Sequence, residues 1–471
     1  MFTSAAWFSR YRSLFLGLGA SACGALCLAT PACGGGDTSP KDAEAPQGTA
    51  GTGAGSGPVA QAGNTAATAG SAAGGASGAS AGGAAGTSSS AGAETGGAGV
   101  ALEGTATRPQ LSATAADDFT VLKYLAQAGP VGAPTVDDWD PTAGVDLTGV
   151  TAKYQVAASG GSHTTVQAAI DAAVADGGAE RIAIEVAPGT YRELVCVPAA
   201  APPITLYGSG AAADTVIVFD NYSGKAKEAT APANPCNPSL GSATYGTSGS
   251  TTFAAYSKGF QAKHLTFAND FDETGQTSNV QAVALTAQGD QQIYDSVRML
   301  GNQDTFFAKS PSSDVIARVY VKSSYIEGDT DFIFGRAVLV IDSSQIHFVS
   351  TRQGSKGYAI VPSTDARNPF GILVTESQFT ADAGTMAGQV HLGRAWDESG
   401  KDVATYTGLV ATGVYPNGQA LVRDSELGAH IRAADPWAEA ATTKRPFSSV
   451  AGSLPANRLY ELANTGPGAA P

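Results

Sequence analysis

Three short segments of the 471-residue chain hold side chains of the kinds that hydrolysis needs. They are Gly301-Asn302-Gln303-Asp304-Thr305-Phe306-Phe307, Ile326-Glu327-Gly328-Asp329-Thr330-Asp331-Phe332-Ile333-Phe334-Gly335 and His391-Leu392-Gly393-Arg394-Ala395-Trp396. Asp304 and Asp331 are 27 residues apart, about one turn of a solenoid, and each follows a strand-like segment. Stacked parallel strands are about 4.8 Å apart, so equivalent positions on neighbouring turns bring two carboxylates close together. Such a pair does not ionise twice with ease, so one member can donate a proton while the other attacks. Arg394 can hold the ionised member through a bidentate pair. Gln303, and Gln281 further upstream, offer neutral amide donors suited to an oxyanion. Plainer roles compete with these. An Asp at a bend is often only a turn former, and Phe306 and Phe334 suit core packing as well as they suit a substrate. The five histidines, His163, His264, His347, His391 and His430, suggest no Ser/His/Asp arrangement.

The elements that would carry these residues repeat. Strand-like segments begin at Gln261, Gln292, Arg318, Val338 and Ile372, each a short alternating strand, a polar bend and a second apolar pair. Their irregular spacing, about 20 to 33 residues, fits solenoid coils with loops of variable length. The pattern predicts an all-β parallel β-helix, because each coil can bury its inward side chains only by stacking on its neighbours. A β-sandwich is the alternative, but it calls for tight hairpin turns between adjacent strands, and these are sparse. Upstream, Val166, Ile170 and Ala173 fall on one helical face before Gly177-Gly178, which predicts a single helix capping the N-terminal end of the solenoid.

The remainder of the chain bounds the setting. Arg10, Arg12 and the apolar stretch Leu14 to Leu28 read as an export signal over residues 1–33. Thr30-Pro31-Ala32-Cys33 suggests a lipoprotein type with a lipidated Cys33, an ordinary cleaved signal being the alternative. Residues 34–115 are dominated by Gly, Ala, Ser and Thr, too poor in large apolar side chains to offset ordering entropy, and read as a flexible linker. Residues 116–471 have the composition of one folded domain. The formal net charge of −14 argues against nucleic acid as a partner. Only Cys196 and Cys236 lie beyond the signal, which in an exported chain suggests a disulfide, with two buried thiols as the alternative. Two separated cysteines and scattered histidines make no zinc ligand set, so no cofactor is expected.

The three segments, in order, resemble the signature blocks of the pectin methylesterase family, whose members are right-handed parallel β-helix proteins: a QDT-type block, a GDxDFIFG-type block and an LGRxW block. The similarity extends over about residues 150–471. Ala395 stands where the family usually has proline, which bears on loop stiffness more than on chemistry. The resemblance implies an aspartyl ester hydrolase acting on methylated homogalacturonan without a metal. In that reading Asp331 is the nucleophile, Asp304 the general acid and base, Gln303 and Gln281 the oxyanion donors, and Arg394 the residue that orients Asp331. Trp396, Phe306 and Phe334 are the candidate sugar contacts. A monomer, secreted or held at the cell surface through Cys33, is the expected form. Rival readings are pectate lyase, polygalacturonase, a hydrolase redirected to another ester or thioester, and a non-catalytic polysaccharide-binding β-helix.

Overall fold

The computed structural model describes residues 102–228, 234–237, 241–350 and 356–470. The export signal, Cys33 and most of the proposed linker lie outside the described residues. Within them the chain forms the expected parallel β-helix, right-handed as strand crossovers almost always are. Three sheets run along it, the first of twelve strands and the second and third of eight each. Each coil visits the sheets in turn. Arg318–Lys322 lies in the first, Tyr325–Gly328 in the second and Thr330–Gly335 in the third, and the next coil repeats the order with Val338–Asp342, Gln345–Phe348 and Gly357–Pro362.

Register explains why these short strands hold together. In the first sheet Val319, Leu339, Ile372, Ala420 and Leu459 are successive partners and form one inward row, all fully buried. In the third sheet Leu285, Phe306, Ile333, Ile360 and Gly393 form the corresponding row. A one-residue slip would turn every one of these side chains outward, so the stack specifies its own register. Burying a Val, Ile, Leu or Phe contributes roughly 1.5–3 kcal/mol. The helix Val166–Asp176 closes the N-terminal end. Thr165 caps it by accepting from Ala168 N–H, and the Glu193 carboxylate accepts from the N–H groups of Val166 and Gln167 at 2.8 and 2.9 Å. Val166, Ala169, Ile170 and Ala173 face the core.

The ordered body starts earlier than the composition shift at 116. Leu102–Thr105 and Arg108–Leu111 are strands on the edge of the first sheet, and buried Arg108 forks onto Glu461 at 2.8 and 2.6 Å. Beyond them Phe119, Tyr124, Leu125 and Val145 pack on the outward side chains Tyr320, Val338, Val340 and Leu373. The first sheet is thus covered on both faces, which is why Val338–Asp342 reads as a continuous apolar run and not as an alternation. Cys196 and Cys236 are disulfide-bonded, with Cα atoms 5.4 Å apart.

Candidate active site

The site residues gather on the outer side of the third sheet. Asp304 stands two residues before the first residue of the strand Phe306–Ala308, and Asp331 lies in Thr330–Gly335 on the next coil. Phe306 pairs with Ile333 and Phe307 with Phe334, so the two aspartates are offset by the same 27 residues. The Asp304 N–H donates to the Thr330 carbonyl at 3.0 Å, joining the two segments directly. Both aspartates have positive φ, 65° and 53°, in the left-handed region that non-glycine residues seldom occupy. Asp331 also falls where the ladder to the following strand shifts register, between Thr330 and Ile333. Such a bulge adds a residue to one strand and re-aims its side chain, a feature common beside active sites. Asp304 is 7 % exposed, and Asp331 is partly buried.

The glycines of this segment have steric reasons. A Cβ on Gly335, whose φ is 129°, would stand 1.9 Å from the Ala308 carbonyl oxygen, and one on Gly328 would stand 2.2 Å from the Phe332 side chain. The coil carrying Asp331 can therefore stack against the coil carrying Asp304 only with glycine at these places.

Arg394 ends the strand Val390–Arg394, two coils beyond Asp331. Its Nε and Nη2 donate to the two carboxylate oxygens of Asp331 at 2.8 Å each. The guanidinium carbon also lies 3.7 Å from the centroid of the Tyr358 ring. Burial works against the arginine's charge, but the Asp331 carboxylate, and more weakly Tyr358 and Asp304, outweigh it and hold the guanidinium above its usual value. Gln303 and Gln281 come from adjacent coils, joined where Ala282 N–H donates to the Gln303 carbonyl at 3.1 Å. The Gln281 carboxamide has its oxygen end buried without a hydrogen-bond partner. A half-turn of the amide presents N–H at that point, so this group has hydrogen-bonding capacity for an incoming oxygen.

Trp396 is half-buried beside a pair of stacked rings. Phe307 and Phe334 are parallel with centroids 4.2 Å apart, and Trp396 lies 6.2 and 5.8 Å from them. The expected sugar contact Phe306 is corrected here. It is fully buried, belongs to the inward row between Leu285 and Ile333, and meets Tyr294 inside the coil. Side chains alternate along a strand, so its neighbour Phe307 faces outward instead. The parallel spacing Asp304-x-x-Phe307 and Asp331-x-x-Phe334 is the signal that could have singled it out. Tyr358, beneath Arg394, was also missed. Among the described residues, no three His, Cys, Asp or Glu side chains converge to hold a metal ion.

This site on this fold defines a parallel β-helix carboxylic ester hydrolase. Residues 153–421 match the family model described as Pectinesterase, and the chain belongs to that family. A pectinesterase of Ralstonia solanacearum is 44% identical over 374 residues, covering 78% of this chain and 93% of that protein. A protein of Escherichia coli named as a putative acyl-CoA thioester hydrolase, YbhC, is 32% identical over 407 residues, covering 78% of this chain and 89% of that protein. The structure of rice weevil pectin methyl esterase superposes with a TM-score of 0.66 at 30% identity, covering 78% of this chain and 98% of that one.

Proposed function

We propose that the protein hydrolyses methyl esters of galacturonate units in pectin, releasing methanol and leaving free carboxylates on the chain. Asp331 attacks the ester carbonyl carbon and forms an acyl-enzyme anhydride, while the amides of Gln303 and Gln281 stabilise the oxyanion. Asp304 gives its proton to the departing methoxy oxygen and then takes one from the water that hydrolyses the anhydride, which restores the Asp331 carboxylate. Trp396, Phe334 and Phe307 offer apolar faces to the sugar. The residues named supply nucleophile, acid, base and oxyanion donors, so the scheme needs no metal. The observation that carries this reading is the two-bond fork from Arg394 to Asp331, with Asp304 one coil away. A guanidinium held so fixes both oxygens of Asp331 in one plane for attack, with Asp304 placed to serve as acid and base.

The setting belongs to the same proposal. The sequence of residues 1–33 supports export, with Cys33 as a lipid attachment point, and the Gly-, Ala- and Ser-rich stretch after it supports a tether. A monomer acting at the cell surface or outside the cell, on plant cell-wall pectin, fits that organisation. The test is methanol release from highly methylated pectin by the full chain in excess EDTA, beside Asp331→Ala. Release that disappears in the variant supports the scheme. A folded wild type that releases no methanol but cleaves acyl thioesters would move the reading toward the activity for which the Escherichia coli relative is named.

A further inference from the structure

Gln281 opens a segment, residues 281–284, that comes before the strand Leu285–Ala287 and belongs to no strand itself. Single hydrogen bonds must therefore hold it. On one side Ala282 N–H donates to the Gln303 carbonyl of the next coil. On the other side the bonds lead back to one side chain, Asn269, which ends the strand Thr266–Asn269 and is 6 % exposed. Its Nδ2 donates to the carbonyls of Asn221, Ser250 and Val283 at 2.8, 3.2 and 3.2 Å, and its Oδ1 accepts from Phe271 N–H at 3.1 Å. Val283 is two residues beyond Gln281, and its N–H donates to Ser250 Oγ at 3.1 Å. Asn221 is two residues before Ser223, whose N–H donates to the Gln281 carbonyl at 2.8 Å. The Phe271 ring stacks on Tyr222 with centroids 3.9 Å apart, which fastens residues 221–224 a second time. Asn269 thus grips the backbone on both sides of Gln281.

We infer that Asn269 is a positioning residue for the oxyanion donor Gln281. This rests on the proposed ester hydrolysis and deepens it. An oxyanion donor works by standing in place before charge develops, and a displacement of about 1 Å can cost about 10²-fold in rate. Three carbonyls from three separate segments converge on one buried point, so the side chain there has to donate more than once. An asparagine amide does so with its two hydrogens, whereas aspartate would turn lone pairs toward the same oxygens. With the donor gone, the buried carbonyls seek other partners and the segments that carry them shift. Residues 281–284 would move with Val283, and the Gln281 amide would move relative to Gln303. Trp396, Phe307 and Phe334 stand on other segments, so the effect falls on kcat and spares KM.

The experiment is a double-mutant cycle in the full chain, with Asn269→Ala and Gln281→Ala made singly and together. Methanol release is measured for each protein, and backbone hydrogen exchange is followed by mass spectrometry. Asn269→Ala is expected to lower kcat by about 10- to 100-fold with KM little changed. In the Gln281→Ala background the same substitution should lower kcat by no more than about twofold, because residues that act as a unit are not additive. Exchange should rise over residues 221–224 and 279–284 and stay at the wild-type level in the first-sheet strands Arg318–Lys322 and Val338–Asp342. Where Asn269→Ala does not fold, Asn269→Ser, which keeps a shorter donor, carries the same comparisons. Fully additive losses of kcat, an unchanged kcat in Asn269→Ala, or exchange that rises nowhere or along the whole solenoid would overturn the inference. A wild type that releases no methanol defeats the esterase scheme instead, and the exchange measurement alone then decides whether Asn269 holds the Gln281 segment.

Discussion

Arg394 meets Asp331 through two N–H···O bonds of 2.8 Å while its guanidinium plane rests 3.7 Å from the centre of the Tyr358 ring. The arginine is clamped on one side by charge and on another by an aromatic face, and both partners come from strands of the third sheet. Asp331, on a strained backbone at a bulge, has its carboxylate plane set by a group two coils away.

Arg394→Lys tests the fork. Lysine keeps the positive charge but presents a single flexible ammonium and cannot hold both oxygens of Asp331 in one plane. The expected outcome is a fall in kcat of roughly 10²-fold, the scale of losing a preorganised electrostatic contact in an active site. KM should change little, because the fork does not itself receive the sugar. Steady-state methanol release across a range of pectin concentrations separates the two constants, and a variant with wild-type kcat would show that the fork is dispensable.

Tyr358 acts as a positioning residue through Arg394. A partly desolvated cation–π contact is worth about 1–2 kcal/mol. Tyr358→Leu should therefore lower kcat by about 5- to 30-fold, and Tyr358→Phe, which keeps the ring, should restore most of it. A purely structural role would instead show as a lower melting temperature in both variants, with no rescue of kcat by phenylalanine.

How much of this could be read beforehand differs from one residue to the next. The first-sheet strands were legible because their apolar spacing repeats from coil to coil, and Asp304, Asp331 and Arg394 because they stand in ordered short segments of unusual chemistry. The choice between Phe306 and Phe307 was legible only through the shared spacing Asp304-x-x-Phe307 and Asp331-x-x-Phe334. Two adjacent identical side chains differ only in which face they take, and that is settled by Leu285 and Ile333 on the coils to either side. The strands before residue 116 were hidden because their stability comes from distant partners. Arg108 is completed by Glu461, far along the chain. Tyr358 has no local signal, since its significance lies in a guanidinium 36 residues later.

The Cys196–Cys236 bond ties the third-sheet strand Val195–Val197 to the long connection that precedes Phe253–Ala255. It closes a loop of sequence separation 40, for which chain entropy gives at most about 4 kcal/mol of stabilisation. The buried rows on either side do not depend on it. Reduction, or Cys236→Ser, is expected to lower the melting temperature by several degrees while the far-ultraviolet circular dichroism at 25 °C stays that of the folded β protein. An unchanged melting temperature after verified reduction would show that the loop is held by its other contacts.

The pH dependence of stability should carry the mark of two histidines, His430 buried and His391 half-buried. His391 is pushed down to about 4, first by burial and then by Arg432, with Asp435 opposing and Arg394 adding a smaller push. His430 is likewise pushed down to about 4 by burial, with His347 adding to it. For each, the unfolded chain takes up a proton near pH 6.5 whereas the folded protein does so only near pH 4. Between those values the unfolded state binds more protons, so stability rises with pH across the window and is lost as pH falls from 6.5 toward 4. Each histidine contributes on the order of 3 kcal/mol. Glu327 and Glu461, raised by burial, oppose this in part, since what they contribute is present in acid and lost as pH rises through their folded values. Carboxylates lowered by their partners, such as Asp295, give up their contribution only below the usual carboxylate range. Melting temperatures of wild type and His391→Gln/His430→Gln at pH 7 and pH 4.5 isolate the effect. Wild type should lose several degrees on acidification and the double variant clearly fewer, whatever its starting value. Equal losses in the two proteins would assign the acid sensitivity to groups other than these histidines.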